Sequence, residues 1–468
     1  VTGTAVAAPL GLTWADLVAG TAGSAMVAAA PALSGVSIDS RTLSPGQVFF
    51  AIHGPRFDGH EFLHDVMARG AAAAVVHRDA PAPEGLPLVR VADTTRALAD
   101  LARHLRRAAS IPVVVITGSA GKTTTKEMTA TLLGARGSVL KTEGNLNNQY
   151  GLPLTLLRLE AQHAFAVLEL GMSAPGELRL LSKIAEPDIA VITNVGPAHL
   201  EFFPSVDAIA AAKAEVFEGA RVDGLAVLNG DDPRLLRVGE SLRQRVIWFG
   251  RDRRHDVAAL NWRGTPFGMR FDLRIEGREV DVALPLAGPH FVMDFLAAAA
   301  VAHALGVSLE AIATLGTTLR AARHRGDVRR LEQGLTLIDD CYNSSPDALD
   351  AALAALSLAG PRRRVAILGD MLELGPTGPE LHRAAGARAA RSADLLVAVG
   401  SLAQGFLEGA RGVGMAESAL RSFKDAAAAT AVVDLLGPGD AVLVKGSRGV
   451  RLESVVAAIE ARFGLGES

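Results

Sequence analysis

The chain has 468 residues, a formal net charge of −3, 49% hydrophobic and 21% charged residues, a balance that excludes a disordered chain. It also excludes the one-sided charge of a protein that binds nucleic acid or acidic lipid through its overall field. At ~100–200 residues per domain the length implies two to four domains. Cys341 is the single cysteine, so no internal disulfide forms, which fits a reducing compartment. Residues 1–12 lack the basic flank of a secretory signal, and no run of about 18 uncharged apolar residues occurs. The expectation is a cytoplasmic monomer that binds no nucleic acid and makes no stable membrane insertion.

Residues 1–110 read as a small mixed α/β unit with strands at 36–39, 48–52 and 73–76 and a turn-rich stretch at 53–60. A helix is predicted over 93–108, with Asp93 as N-cap and Leu98, Leu101, Ala102 and Leu105 at helical spacing. From residue 111 the texture changes to apolar runs of four to six residues at 113–117, 165–170, 189–193 and 225–228, separated by Ala-rich helical stretches. Such runs mark strands buried on both faces of a mostly parallel sheet. The alternating stretch 268–284 suggests an antiparallel edge, and 295–304 a buried helix. Residues 320–328 are basic, lack a core pattern and read as a linker; strand–helix alternation then restarts at 335–338, 365–368, 395–399 and 441–444. The organisation is three α/β domains, over 1–110, 111–322 and 323–468. Ligands of open parallel sheets bind beyond the carboxyl ends of the strands, which singles out Glu169, Asn194, Asp340, Asp370 and Lys445.

The run from Val113 to Thr125 is a buried strand, a Gly-containing turn and a helix start. Gly118 and Gly121 let the backbone amides face inward around a phosphate, the helix N-terminus adds partial positive charge, and Lys122 reaches the β/γ oxygens. Thr123 is placed to ligate Mg²⁺. The loop is a compact variant, because Ile116 stands where the full pattern has its first glycine. Glu169 closes an apolar strand and is suited to a hard cation or to capping the next helix. His199, in the run after the next strand, is a metal ligand or a structural histidine. Lys213 lies in a predicted amphipathic helix over 205–220, where a lysine by default occupies a solvated face.

The run Ile116-Thr-Gly-Ser-Ala-Gly-Lys-Thr-Thr-Thr-Lys-Glu127 resembles the phosphate loop of the Mur ligases, ATP-dependent amide-forming enzymes of peptidoglycan precursor synthesis. So do Gly144-Asn-Leu-Asn-Asn-Gln-Tyr-Gly-Leu-Pro-Leu-Thr155, Leu168-Glu-Leu-Gly-Met172 and Thr193-Asn-Val-Gly-Pro-Ala-His199. Three C-terminal runs resemble the branch that adds D-alanyl-D-alanine to UDP-N-acetylmuramoyl-tripeptide (UDP-MurNAc-tripeptide). They are Asp339-Asp-Cys-Tyr-Asn-Ser-Ser-Pro346, Ile367-Leu-Gly-Asp-Met-Leu-Glu-Leu-Gly375 and Val444-Lys-Gly-Ser-Arg448. The resemblance spans the chain and implies a small N-terminal UDP-sugar domain, a central P-loop ATPase domain and a C-terminal Rossmann-like domain.

It also implies roles. Gly118, Ser119, Ala120, Gly121, Lys122, Thr123 and Thr124 hold the ATP phosphates. Thr123 and Glu169 ligate one Mg²⁺; a CO₂-derived carbamate on Lys213 holds the second together with His199. Arg325 contacts the nucleotide phosphates from the linker, and Asp340, Tyr342, Asn343, Lys445 and Arg448 face the cleft from the C-terminal domain. Ser40, Arg41 and Asp58 grip the UDP-sugar, with Asn147, Asn148 and Ser173 lying against that substrate. The implied reaction phosphorylates the tripeptide carboxylate and lets the amine of D-Ala-D-Ala attack the acyl phosphate, after an open–closed motion hinged near 320–328. The family commonly carries His-Asn-x-x-Asn where this chain has His290-Phe-Val-Met-Asp294. As a carboxylate, Asp294 accepts from the adenine amine but cannot donate to a ring nitrogen. Two alternatives remain: another ligase of the superfamily, such as a single-amino-acid-adding or folylpolyglutamate synthetase-like enzyme, and a non-catalytic nucleotide-binding protein.

The composition adds a separate observation. Of 47 basic residues only seven are lysine, leaving 40 arginines, and there are two tyrosines. Lys122, Lys213 and Lys445 and both tyrosines, Tyr150 and Tyr342, fall inside these motifs.

Overall fold

A computed structural model describes residues 11–25, 31–54, 57–81, 83–198, 200–359 and 362–464. His199 lies outside them. Three main sheets follow one another along the described residues, with a two-stranded ribbon, His53–Gly54 and Phe57–Asp58, beside the first in sequence. The first has five strands in the order Ser24–Ala25, Leu88–Val91, Ala73–His77, Gln47–Phe50, Gly35–Ser37, parallel except at the first pair. The predicted helix is Thr94–Ala108, and Asp93 caps it by accepting from the Arg96 amide.

The central sheet has nine strands. Seven run parallel in the order Val257–Thr265, Arg245–Gly250, Leu225–Asn229, Ile189–Ile192, Val113–Thr117, His163–Glu169, Ser138–Lys141. The strands Gly268–Ile275 and Arg278–Leu284 complete it as the expected antiparallel edge. Val113–Thr117 is buried throughout because both faces are covered. Val113 and Val115 enter one core, while Val114 and Ile116 enter another with the helix Pro289–Ala304. Each such side chain contributes ~1.5–3 kcal/mol. From this strand the chain builds outward first on one side, through Ser138–Lys141 and His163–Glu169, then on the other, through Ile189–Ile192. That reversal opens a crevice beyond the carboxyl ends of the three middle strands.

The third sheet has six strands, in the order Asp327–Arg330, Thr336–Asp340, Ala441–Lys445, Arg364–Gly369, Leu395–Val399, Leu420–Phe423. Its first strand corrects the linker expectation. Residues 327–330 pair antiparallel with Thr336–Asp340, so the connecting segment ends before Asp327. The chain's last strand inserts between Thr336–Asp340 and Arg364–Gly369, making a second reversal. The predicted helix 205–220 also differs: it is Val206–Ala214 followed by a 3₁₀ turn, Glu215–Glu218. The edge strands Ser138–Lys141 and Leu420–Phe423 have no sequence expectation above; both are short and partly exposed.

Candidate active site

The two reversals face one cleft of about 760 Å³. On the central side, Gly118 (φ +153°) and Gly121 (φ +79°) turn the chain from strand into the helix Lys122–Leu133. Both positions require glycine, since a Cβ on Gly118 would lie 1.9 Å from Thr193 Oγ1 and one on Gly121 2.1 Å from Asp294 Oδ1. The strap after the next strand holds the loop. Asn194 Oδ1 accepts from the Ala120 amide (2.9 Å), and the Gly196 amide donates to Ser119 Oγ (2.9 Å). Thr193 Oγ1 donates to the Ala120 carbonyl (2.6 Å). Lys122 Nζ folds back onto the Gly118 carbonyl at 2.9 Å, and burial in the cleft lowers its pKa below the ordinary lysine value. Lys126, 2% exposed, is a strut: its Nζ donates to the Thr142 carbonyl at 2.7 Å.

Glu169 ends the neighbouring strand at 4% exposure. Thr123 Oγ1 donates to its Oε2 at 2.7 Å, Asn147 Nδ2 to its Oε1 at 3.0 Å, and Thr142 Oγ1 accepts from its amide at 2.9 Å. Its side-chain hydrogen-bond partners, Thr123 and Asn147, are both neutral, and its charge acts on Lys122 in the phosphate loop. Carboxylate and hydroxyl oxygens are the hard donors that Mg²⁺ takes, so Thr123 and Glu169 fit that ion.

Lys213 corrects the solvated-face expectation. It is 1% exposed, no described acidic side chain pairs with it, and burial, with Lys122 nearby, lowers its pKa well below the usual lysine range. It lies in the last turn of Val206–Ala214, behind the cleft wall rather than on it.

The third sheet supplies the opposite wall. Asp340 and Lys445 are register partners at the carboxyl ends of adjacent parallel strands. Lys445 Nζ, 2% exposed, donates to Asp340 Oδ2 at 2.6 Å and to the Asn343 carbonyl at 3.1 Å. Desolvation raises the Asp340 pKa against the pull of Lys445 and Arg325. Two cations lie over the Tyr342 ring, Arg325 4.0 Å and Arg448 5.1 Å from its centroid. From the helix Pro289–Ala304, Asp294 enters the cleft at 6% exposure, accepting from Thr125 Oγ1 at 3.3 Å. Burial pushes its carboxyl up to about 8, a shift that favours the protonated form, which offers an O–H donor that the acceptor-only carboxylate expectation did not include. His290, pushed down to about 3 by burial, is neutral and lies against Phe291.

Of the residues singled out from sequence, Ser119, Ala120, Gly121, Lys122, Thr123, Thr124, Asn147, Asn148, Ser173 and Glu169 line the cleft from the central side. Asp294, on a helix packed against the central sheet, also lines it from that side, and Arg325, Asp340, Tyr342, Asn343, Lys445 and Arg448 line it from the other. The side-chain oxygen of Asn148 is spent on the Tyr150 and Gly151 amides, capping a short helix. Ser40, Arg41 and Asp58 are not brought to this cleft. Arg41 pairs with Asp39 at 2.7 Å on the exposed surface, and Asp58 caps the 3₁₀ turn Gly59–Phe62. Asp370 also turns away, accepting from the Ser401 and Leu402 amides. Glu373 was missed: it lines the cleft with a left-handed backbone (φ +62°), its carbonyl accepts from the Glu201 amide at 3.2 Å, and its charge acts on Lys122. The glycine-flanked acidic run Asp370–Gly375 was its only sequence signal.

A phosphate loop at one sheet reversal, confronted by arginines and a neutralised acid at another, defines a nucleotide-using enzyme that brings its reactants together between domains. Family models match in three consecutive blocks: the Mur ligase family catalytic domain at 32–106, the Mur ligase middle domain at 116–302, and the Mur ligase glutamate ligase domain at 324–448. The UDP-N-acetylmuramoyl-tripeptide–D-alanyl-D-alanine ligase of Escherichia coli is 37% identical over 434 residues, 92% of this chain and 94% of that one. A crystal structure of MurF from Acinetobacter baumannii superposes with a TM-score of 0.88 at 33% identity, covering 96% of this chain and 99% of the other. MurF ligase from Thermotoga maritima, solved in complex with ADP, gives 0.81 at 31%, covering 92% and 97%. The chain belongs to the Mur ligase family, whose members use ATP to form amide bonds.

Proposed function

We propose that the chain joins D-alanyl-D-alanine to UDP-MurNAc-tripeptide, converting ATP to ADP and phosphate and giving the pentapeptide precursor of peptidoglycan. The observation that carries this reading is the likeness to D-alanyl-D-alanine-adding ligases over 92% of the chain, which includes both walls of the cleft. Residues 1–110 would hold the UDP-sugar, with Ser40, Arg41 and Asp58 contributing, 111–322 the ATP, and 323–468 the dipeptide. A reaction that consumes ATP and a UDP-linked substrate supports a cytoplasmic location.

A carboxylate does not condense with an amine at neutral pH. The tripeptide carboxylate oxygen therefore attacks the γ-phosphorus, the bond to the β-γ bridging oxygen breaks, and ADP leaves. The dipeptide amine then attacks the acyl carbon, loses a proton, and expels phosphate as the amide forms. Phosphoryl transfer asks the protein mainly for positioning and charge neutralisation. Lys122 and the loop amides hold the β/γ oxygens, and Arg325 approaches from the opposite wall. Tyr342 and Arg448 suit the dipeptide and its carboxylate, with Asn343 and the Asp340–Lys445 pair supporting them. Asn147 keeps Glu169 oriented. Two Mg²⁺ ions, one on Thr123 and Glu169 and one on His199 with a carbamylated Lys213, would neutralise phosphate charge when bound. Lys213 fits carbamylation because a buried amine with a lowered pKa is the nucleophile CO₂ requires, whereas arginine stays protonated.

The deciding experiment is phosphate release from ATP with UDP-MurNAc-tripeptide, comparing D-Ala-D-Ala with single amino acids. Turnover with the dipeptide alone is expected. Turnover only with a single amino acid reassigns the chain within its family.

A further inference from the structure

The chain enters the third sheet through a segment whose geometry is unusual on three counts. His324 is a non-glycine residue in the left-handed region (φ +62°), and Gly326 (φ +69°) follows it, so two left-handed residues bracket Arg325. The His324 carbonyl accepts from the Tyr342 amide at 3.0 Å, tying the segment to the loop that carries the ring under Arg325. The His324 side chain, 13% exposed, places Nδ1 2.8 Å from Oδ2 of Asp339, which has no exposure at all.

Asp339 gathers more than this histidine. Cys341 Sγ donates to its Oδ1 at 3.1 Å, and an Arg329 guanidinium nitrogen donates to its Oδ2 at 3.0 Å. Arg329 is held in turn by Asp327 and Glu460. The ligating atoms of His324, Asp339 and Cys341 lie within 4.8 Å of one another, the spacing of a small metal site. Their hydrogen bonding says otherwise: thiol and imidazole both turn toward Asp339, Arg329 occupies the same carboxylate, and burial beside that carboxylate holds the cysteine as a thiol. The cluster is a clamp.

We propose that His324, gripped by Asp339, is a positioning residue that aims Arg325 into the cleft, so that Arg325 travels with the third sheet as part of one rigid body. The pivot of any domain closure then lies before His324, in residues 319–323, and not across the whole basic stretch. Closure would deliver Arg325, Tyr342, Lys445 and Arg448 together, and the clamp fixes the arginine's direction before ATP arrives. This rests on the reading of Arg325 as a phosphate contact, which the test separates from the clamp itself.

The variants are His324→Gly, which removes the side chain without left-handed strain, His324→Asn, which keeps an N–H donor and tolerates that region, Arg325→Ala, and the double variant His324→Gly with Arg325→Ala. A misdirected catalytic cation costs on the order of 10²-fold. His324→Gly is therefore expected to lower kcat/KM for ATP by roughly 10- to 100-fold, with KM for UDP-MurNAc-tripeptide unchanged. His324→Asn restores most of it, and the double variant is no worse than Arg325→Ala, an equality that a merely structural loss would not produce. Arg325→Ala impaired while His324→Gly keeps native ATP kinetics overturns the clamp alone, as does a double variant whose loss is the product of the two. Native kinetics in Arg325→Ala overturns the reading of Arg325 and the proposal with it. His324→Ala replaces the glycine variant if that chain does not fold.

Discussion

Both parallel-sheet reversals present an acid at the end of a strand, but the two acids are prepared for opposite work. Glu169 is held by a hydroxyl, an amide and the Thr142 contact behind its strand, all neutral hydrogen-bond partners, and faces the phosphate loop. Asp340 is held by Lys445 across the register of two adjacent strands and presents a largely neutralised pair. An acid with neutral partners attracts a cation; an acid paired with a buried ammonium orients its neighbours. The central wall is built for charge and the third wall for placement.

The largest expected effect comes from breaking the charged wall. Lys122→Ala or Glu169→Gln should lower kcat by roughly 10³-fold in the phosphate-release assay while leaving the unfolding midpoint close to native, as expected for groups acting on transition-state charge. Lys213→Ala should follow, with lost turnover partly recovered by added short carboxylates; full activity without rescue removes the carbamate from the account.

The placement wall should answer first in stability. Lys445→Met or Asp340→Asn alone leaves a buried charge without its partner and should cost roughly 3–5 kcal/mol in urea unfolding, while the double replacement should cost clearly less than either. Equal losses in singles and double would show that the pair is not what holds that edge.

The smallest effect sharpens the boundary between the walls, where Asp294 stands against Gly121. Its carboxyl has an ordinary value of 3.8 and is raised to about 8 in the fold. The folded state therefore binds the proton more tightly, so its contribution to stability is complete below 3.8 and is lost as pH rises toward about 8. Asp294→Asn should gain stability relative to the native chain across that window, and its KM for ATP should stay flat above pH 8 where the native KM rises. Parallel pH profiles for the two chains would remove the protonated acid.

The two walls also differ in how much of them was legible beforehand. The phosphate loop is contiguous, and its chemistry is carried by backbone, so Val113 to Thr125 sufficed to read strand, turn, helix and cradle. Glu169 was legible because a parallel strand ends where its apolar run ends. Lys213 was not: nine residues of Val206–Ala214 look alike whether that face meets water or protein, and only the packing around the helix buries the amine. Asp370 and Asp340 both follow apolar strands, yet one caps the turn at Ser401 and the other meets Lys445, a difference set by neighbouring strands and not by either residue's own segment.

By itself the amino-acid sequence determined the three α/β units, the phosphate loop and most of the residues that line the cleft, because local periodicity and contiguous motifs carry that information. The tertiary structure alone decided which strand end faces which. It stripped Lys213 of water, raised the Asp294 carboxyl, joined Asp340 to Lys445 across 105 residues and bound His324 to Asp339 beside Arg325. These properties arise from desolvation and from pairing between distant segments, and neither exists until the sheets have packed.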